Sequence, residues 1–234
     1  MSERAYIGDE LPVFAKAVNW KRYVARLLRS YLKGNVLEVG AGLGANTAVF
    51  CGSEVGRWLC LEPDASLAAA LDGRFRSTPP IEVRCGTVAD LRREAKTYDA
   101  VLYSDVLEHI EDDRAELERA ACLLRPGGAL IVVAPAHMVL FSEFDAAIGH
   151  FRRYTKRTLA AIAPPGATLR ELRYLDAAGL IASAANRLFL RQGRPALRQV
   201  LFWDRCLVPI SRLLDRILLY ALGKSVCAVW IKDG

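Results

Sequence analysis

A doubly wound α/β fold is what this sequence predicts, on three observations. Short apolar runs alternate with helical patterns through the first 135 residues. The runs lack in/out alternation, as expected for parallel strands covered by helices on both faces. The first complete run ends in alternating glycines at the head of a helix, the arrangement that binds nucleotides at the carboxyl edge of such sheets.

Taken in order, Leu11, Phe14, Val18, Val24, Leu27, Leu28 and Tyr31 recur at helical intervals and predict an amphipathic helix over residues 11 to 32. Gly34 ends it. Buried strands are expected at Asn35 to Val39, Arg57 to Glu62, Ile81 to Cys85, Ala100 to Tyr103 and Ala129 to Ala134. After Pro135 the rhythm changes to a polar and aromatic connection, His137 to Tyr154. A helix near Lys156 to Ala163 follows, then a strand from Thr168 to Tyr174 and a long helical stretch broken by Gly193 and Pro195. Ser225 to Ile231 closes the chain as a strand. No linker or repeat interrupts this order, so residues 1–234 are expected to form a single domain. Residues 1–33 would be a helical cap, 34–135 a cofactor-binding half and 136–234 the acceptor-binding and C-terminal part.

The composition supplies a sizeable core, with 53% hydrophobic residues in 234. A formal charge of +6 suits an anionic substrate or a membrane surface as well as nucleic acid, and decides nothing alone. Arg187, Arg191, Arg194 and Arg198 recur at helical spacing, the pattern of a solvated face. The six cysteines are scattered singly, without zinc or disulfide spacing. Met1 to Glu10 is polar and does not read as a signal peptide, so a reducing cytoplasm is the expected compartment. The stretch from Cys206 to Leu222 is very apolar, interrupted only by Arg212, Asp215 and Arg216. A packed helix is the plain reading; an apolar acceptor wall, a dimer face or a peripheral membrane contact are the others.

The strongest local signal is Val36-Leu37-Glu38-Val39-Gly40-Ala41-Gly42-Leu43-Gly44, a strand running into three alternating glycines. Glycine is needed there because the turn takes unusual backbone angles and a ligand must approach the main chain. Gly40, Gly42 and Ala45 also satisfy the relaxed dinucleotide fingerprint, which keeps a nicotinamide oxidoreductase in play. Glu62, 22 residues after Gly40, ends the second strand where a carboxylate can accept both hydroxyls of a ribose. The absence of a second mononucleotide-binding half after the fifth strand weakens the dehydrogenase reading.

The series VLEVGAGLG, LEPD, YDAVLYSDVLEHI and LRPGGAL, in this order and spacing over residues 35 to 135, resembles the motifs of class I S-adenosylmethionine-dependent methyltransferases. That resemblance implies a Rossmann-like seven-stranded sheet whose last two strands close one edge, and S-adenosylmethionine as methyl donor with S-adenosylhomocysteine as product. Asn19-Trp20, the run Ile148-Gly149-His150-Phe151-Arg152-Arg153-Tyr154 and Leu222-Gly223-Lys224-Ser225 resemble one bacterial subgroup, which associates the acceptor with glycan or lipid precursors. Carried over residue by residue, Gly40, Gly42 and Gly44 would line the amino-acid part of the donor. Glu38 would orient the turn and the donor ammonium, and Glu62, with Pro63 beside it, would hold the ribose. Thr87 and Val88 would meet adenine where many relatives carry an acidic residue, and Ser104 and Asp105 would lie beside the methionine part.

For the acceptor, the resemblance implies a hydroxyl, amine or carboxylate on a small molecule or a glycan/lipid precursor. The three histidines, His109, His137 and His150, fall at expected strand exits or in the connection after the fifth strand, where an imidazole can serve as base. His150 is the first choice, with Arg152, Arg153 and Tyr154 placing the acceptor and Tyr154, His109 and Asp105 as further catalytic candidates. Asp105-x-x-Glu108-His109 resembles a run that binds magnesium in certain methyltransferases; helix bracing without metal is the reading adopted. Trp20, Tyr23 and Phe14 on the entry helix read as core by their helical spacing, a lid over the donor being the other reading, and Trp20 is counted among the substrate-binding candidates. A nucleic-acid methyltransferase would need a basic domain that is not seen, and a non-catalytic adenosyl-binding protein remains an alternative. The protein would act as a monomer or homodimer.

Overall fold

In the computed structural model, which describes residues 11–185 and 196–234, one seven-stranded sheet runs in the order β3-β2-β1-β4-β5-β7-β6. The strands are Gly34–Val39 (β1), Val55–Glu62 (β2), Ile81–Cys85 (β3), Tyr98–Ser104 (β4), Leu124–Pro135 (β5), Ala167–Leu175 (β6) and Ser225–Lys232 (β7). β1 to β5 are parallel, while β7 inserts antiparallel between β5 and β6. Successive side chains feed two apolar layers: Val36, Trp58 and Leu102 enter one, Leu37, Leu59 and Tyr103 the other. That double burial is why the strand runs show no polar alternation.

The expected strands are all present, β3 with the expected bounds and the other six lengthened at one or both ends. The N-terminal helix is not continuous. It divides into Leu11–Phe14 (α1) and Val18–Leu28 (α2), although neither proline nor glycine lies between them. Distant and local polar groups hold the break. The Lys21 ammonium donates to the carbonyls of Phe14 (2.7 Å) and Ala17 (3.3 Å), and Asp204 accepts from the backbone N–H groups of Asn19 and Trp20 at 3.2 and 2.8 Å. A carboxylate 184 residues away thus caps the start of α2.

Thr47–Phe50 (α3), Ala65–Phe75 (α4) and Asp113–Leu123 (α5) lie among the parallel strands in chain order; Glu143–Ala147 (α6) and Lys156–Ala160 (α7) follow β5. The long C-terminal helical stretch becomes Ala177–Ala185 (α8), Leu197–Phe202 (α9) and, after a π-turn at Trp203–Leu207, Val208–Ile217 (α10). Arg187, Arg191, Arg194 and the expected break at Gly193 and Pro195 lie outside the described residues; Arg198 is exposed.

α10 turns its polar residues inward. Asp215, 0% exposed, accepts from Tyr23 Oη (2.7 Å), Asp176 N (2.8 Å) and Ala177 N (2.9 Å), thereby capping α8. Ser211 donates to Asp176, which also accepts from Trp203 Nε1 at 2.7 Å. Removing one carboxylate strands several buried donors. Asp215→Ala is expected to cost about 3 kcal/mol in urea unfolding; a loss under about 0.5 kcal/mol, the scale of surface substitutions, would refute the capping role.

Candidate active site

The chain crosses from β1 to β2 on one side of the sheet and to β4 on the other, so the carboxyl ends of β1 and β4 part and leave a crevice. A cavity of about 1450 Å³ opens there. Its floor is the glycine turn. Gly40, Gly42 and Gly44 hold φ of +67°, +53° and +69°, and Gly40 and Ala41 donate their N–H groups to the Leu61 carbonyl. A Cβ on Gly40 would lie 2.7 Å from Val106 Cγ2, whereas one on Gly42 would meet only Leu11 at 3.7 Å. The main chain at Gly42 is therefore open to whatever fills the crevice.

Two carboxylates brace this turn from below. Glu38 Oε2 accepts from Thr47 Oγ1 (2.6 Å) and Trp58 Nε1 (2.8 Å), so it joins the strand before the turn to the helix after it. Burial pushes its pKa up to about 7, against the opposing effect of these hydrogen bonds. It is not a cavity wall. Glu62 accepts from Gly42 N at 2.8 Å and Asp64 N at 3.0 Å, leaving a second lone pair on each oxygen. Thr87 caps the following turn through Asp90 while Val88 is buried, and Pro63 is exposed. The main chain at Gly42, which lines the cavity, fits the approach of an adenosyl donor, while Glu62 lies buried behind it and is not itself part of the lining.

Opposite the turn, α6 and the loop after it deliver the acceptor side. His150 Nδ1 lies 2.9 Å from Asp145 Oδ1, and Arg153 donates Nε and Nη2 to the same carboxylate at 2.8 and 3.0 Å. Burial would raise the Asp145 pKa, but the hydrogen bonds from His150 and Arg153 outweigh it and hold the group well below the usual carboxylate range. An ionised Asp145 can only accept, so the His150 Nδ1 carries hydrogen and Nε2 is turned the other way. Nε2 lies 3.8 Å from Glu108 Oε1. Glu108 is 1% exposed and its oxygens have no hydrogen-bond partner among the described residues. Burial first, then the charge of Asp105, pushes its pKa well above normal.

His109 packs edge-on against His150 with ring centroids 4.5 Å apart, and burial lowers its pKa to about 4, so it is neutral at physiological pH. Glu108, His109 and His150 each offer one ligand atom within 4.8 Å of the others. Asp105 takes a φ of +56° at the end of β4, which aims its carboxylate into the cavity. Enclosure by protein raises its pKa, opposed by the charges of Lys21, His150 and Lys224. Ser104 and Trp20 also line the cavity, Trp20 packing 5.7 Å from Trp203.

Three expected acceptor residues are not brought to this place. Tyr154 is buried with its hydroxyl donated to Asp113 at 2.8 Å, so its assignment as a catalytic and acceptor-binding group is corrected to a brace between loop and α5. Arg152 pairs with Asp113 at 2.7 Å and donates to the Glu111 carbonyl, which directs it away from the cavity. His137 Nε2 lies 3.0 Å from the Gly223 carbonyl and its ring packs on Tyr174. Conversely, Asp145 and Lys21 were not singled out, and Lys224 was named only within the Leu222-to-Ser225 run, without a role. Asp145 had a local signal, the Ser142-x-x-Asp145 capping box, whereas Lys21 had none.

Residues 37–132 match the family model described as a methyltransferase domain. The chain has the class I methyltransferase fold. In structure it resembles phosphoethanolamine N-methyltransferase 2 of Haemonchus contortus in complex with S-adenosyl-L-methionine. That match has a TM-score of 0.68 and 14% identity, covering 100% of this chain and 60% of that one. In sequence it is 34% identical over 100 residues to a ubiquinone biosynthesis O-methyltransferase of Rhodopseudomonas palustris, covering 42% of this chain and 38% of that protein. A demethylmenaquinone methyltransferase of Mycolicibacterium vanbaalenii is 31% identical over 113 residues, 48% of this chain and 47% of that protein. The chain thus spans less than half the length of either relative.

The raised pKa of Glu38 sets a pH signature for the methyltransferase-fold turn. A carboxyl whose pKa is about 7 folded and near 4.5 unfolded holds its proton more tightly in the folded state. Its contribution is full below pH ~4.5 and is lost as pH rises through ~7. The stability of the native protein relative to Glu38→Gln should therefore fall between those values in urea titrations. A difference that is flat or rises with pH would sink this assignment.

Proposed function

We propose that the protein is an S-adenosylmethionine-dependent methyltransferase that methylates a hydroxyl of a small molecule or a glycan/lipid precursor. The observation that carries this is the Asp145-aligned His150 facing the open glycine turn across one cavity. The printed names of two sequence relatives support methyl transfer, and that of the ubiquinone biosynthesis O-methyltransferase supports a hydroxyl acceptor. When bound, the donor supplies a methyl group on a sulfonium whose charge disappears on transfer, so the protein chiefly has to align the nucleophile. Gly40 and Gly42 would hold the amino-acid part of the donor, Glu62 the ribose, and Ser104 and Asp105 the side nearest the methyl.

On the acceptor side His150 Nε2 takes the hydroxyl proton, and Asp145 stabilises the imidazolium and fixes its tautomer. Arg153 keeps Asp145 ionised for that task. Lys21, Lys224 and Arg153 give the cavity positive charge that suits an acceptor carrying an anionic or phenolic group. Trp20 closes the wall beside Trp203. An adenosyl-binding protein without catalysis would have little use for a base held in this tautomer, and beyond β5 the sheet continues antiparallel through β7 and β6, without the second parallel half that a nicotinamide dinucleotide would use.

A second reading is favoured by the unpartnered Glu108 oxygens. Glu108, His109 and His150 would then ligate a divalent cation that steers the acceptor oxygen, and His150 would be a ligand, not a base.

Calorimetry with S-adenosylmethionine and S-adenosylhomocysteine should detect both, and no binding of either alongside tight binding of a nicotinamide dinucleotide would end the proposal. With an acceptor found by donor-dependent methyl mass gain, His150→Ala should lower kcat by roughly 10²–10⁴-fold while leaving donor affinity unchanged. Unaltered turnover at saturating acceptor would remove His150 from the chemistry. Activity abolished by chelator and restored by magnesium would favour the second reading; indifference to chelator keeps the first.

A further inference from the structure

The C-terminal helix α10 is inside out for a water-facing element. Its polar residues Ser211 and Asp215 are fully buried, while Leu213 and Ile217 are 63% and 65% exposed and Ile210 lies one turn away on the same side. Ile210, Leu213 and Ile217 stand at i, i+3 and i+7, so they form one continuous stripe. Leu219, 83% exposed, extends it past the helix end. A contiguous apolar surface of this kind is unusual on a protein that meets only water.

The charge around the stripe identifies its occupant. Arg212 and Arg216, one turn apart, run along its side, and Arg198 and Arg205 continue the exposed basic residues toward α9. The two acidic residues of the segment from 196 to 232, Asp204 and Asp215, are both buried in the capping network. Every acidic side chain there is turned inward and every one of these arginines outward. A second copy of the chain would bring the same arginines face to face across a two-fold axis, where like charges repel. An anionic bilayer surface accepts both parts, taking the apolar stripe into the boundary between headgroups and acyl chains and pairing the arginines with phosphate. No helix among the described residues is long and apolar enough to cross a membrane, which leaves lying in the surface plane as the mode of contact.

We infer that α10 is a peripheral docking face for anionic phospholipid membranes, seated by Ile210, Leu213, Ile217 and Leu219 and held by Arg212 and Arg216. The inference stands on this surface and does not need the methyl-transfer reading. The face is continuous with the cavity: Phe202, exposed, and Trp203 and Leu207 line the cavity and lead directly into α10. Where methyl transfer also holds, the acceptor is an amphiphile dissolved in the bilayer.

The full chain should sediment with vesicles of phosphatidylcholine mixed with phosphatidylglycerol. Binding should weaken roughly tenfold or more between low and high salt, as screening shortens the reach of the arginines. Leu213→Glu with Ile217→Glu should abolish it, and Arg212→Gln with Arg216→Gln should remove its salt dependence, with donor affinity and far-UV circular dichroism unchanged in both. Failure to bind anionic vesicles at low salt overturns the inference, as does binding indifferent to both pairs of substitutions or equal binding to phosphatidylcholine alone. A dimer that the glutamate pair splits, with no vesicle binding, would assign the face to a second copy instead. Vesicle binding by a protein that ignores S-adenosylmethionine would leave the docking face intact and defeat only the enzymatic reading.

Discussion

Everything in the site depends on the reversal of strand order at β1. Because β2 and β4 leave β1 on opposite sides, no connecting loop can cover the carboxyl end of β1, and the main chain there stays bare. Glycine then becomes obligatory at Gly40, where φ is positive and a side chain would strike Val106. The turn cannot support itself, since it has few side chains to pack. Glu38 beneath it and Glu62 beside it supply the missing contacts through Thr47, Trp58, Gly42 and Asp64. Burying two carboxylates is costly, and it is tolerated because donors reach both Glu62 oxygens and converge on Oε2 of Glu38.

A second set of buried acids holds the helical side together by the same logic. Asp204 caps α2, Asp215 caps α8, and Asp176 gathers Ser211, Trp203 and Gly179. Helix N-termini present unpaired N–H groups and a positive dipole end, so a carboxylate is the group best suited to be buried against them. Two helices from distant parts of the chain, α2 and α8, are thereby locked to the π-turn and α10. The inward face of α10 places the capping residues Ser211 and Asp215 beside the buried Val208, and Ile210, Leu213 and Ile217 are left on the outside.

The sheet was legible in the sequence because a buried parallel strand leaves a local mark, an apolar run between turn residues, and all the expected strands are found. The glycine turn was legible for the same reason. What escaped was non-local. The break between α1 and α2 depends on Lys21 and on Asp204, the latter nearly two hundred residues away, and no periodicity reveals it. Tyr154 and Arg152 looked like acceptor residues because they neighbour His150 in sequence. An extended loop points successive side chains in different directions, and Asp113 draws both of them onto the start of α5. The identity of His150 was readable, but its orientation was not, since that rests on Asp145 arriving from α6.

The charge states of the cavity follow from who reaches each carboxyl first. Asp145 has His150, Arg153 and Ser142 around it and stays ionised despite burial; Glu108, with no donor in reach among the described residues, is driven toward its neutral form a few ångströms away. Two acids in one pocket are thus shifted in opposite directions, Asp145 downward by its hydrogen-bond donors and Glu108 upward by burial without any. The contrast matters for His150, which lies between them. Its Nδ1 side lies 2.9 Å from Asp145 and its Nε2 side 3.8 Å from Glu108, so Asp145 fixes the tautomer from the far side and leaves Nε2 turned toward the less well hydrogen-bonded acid.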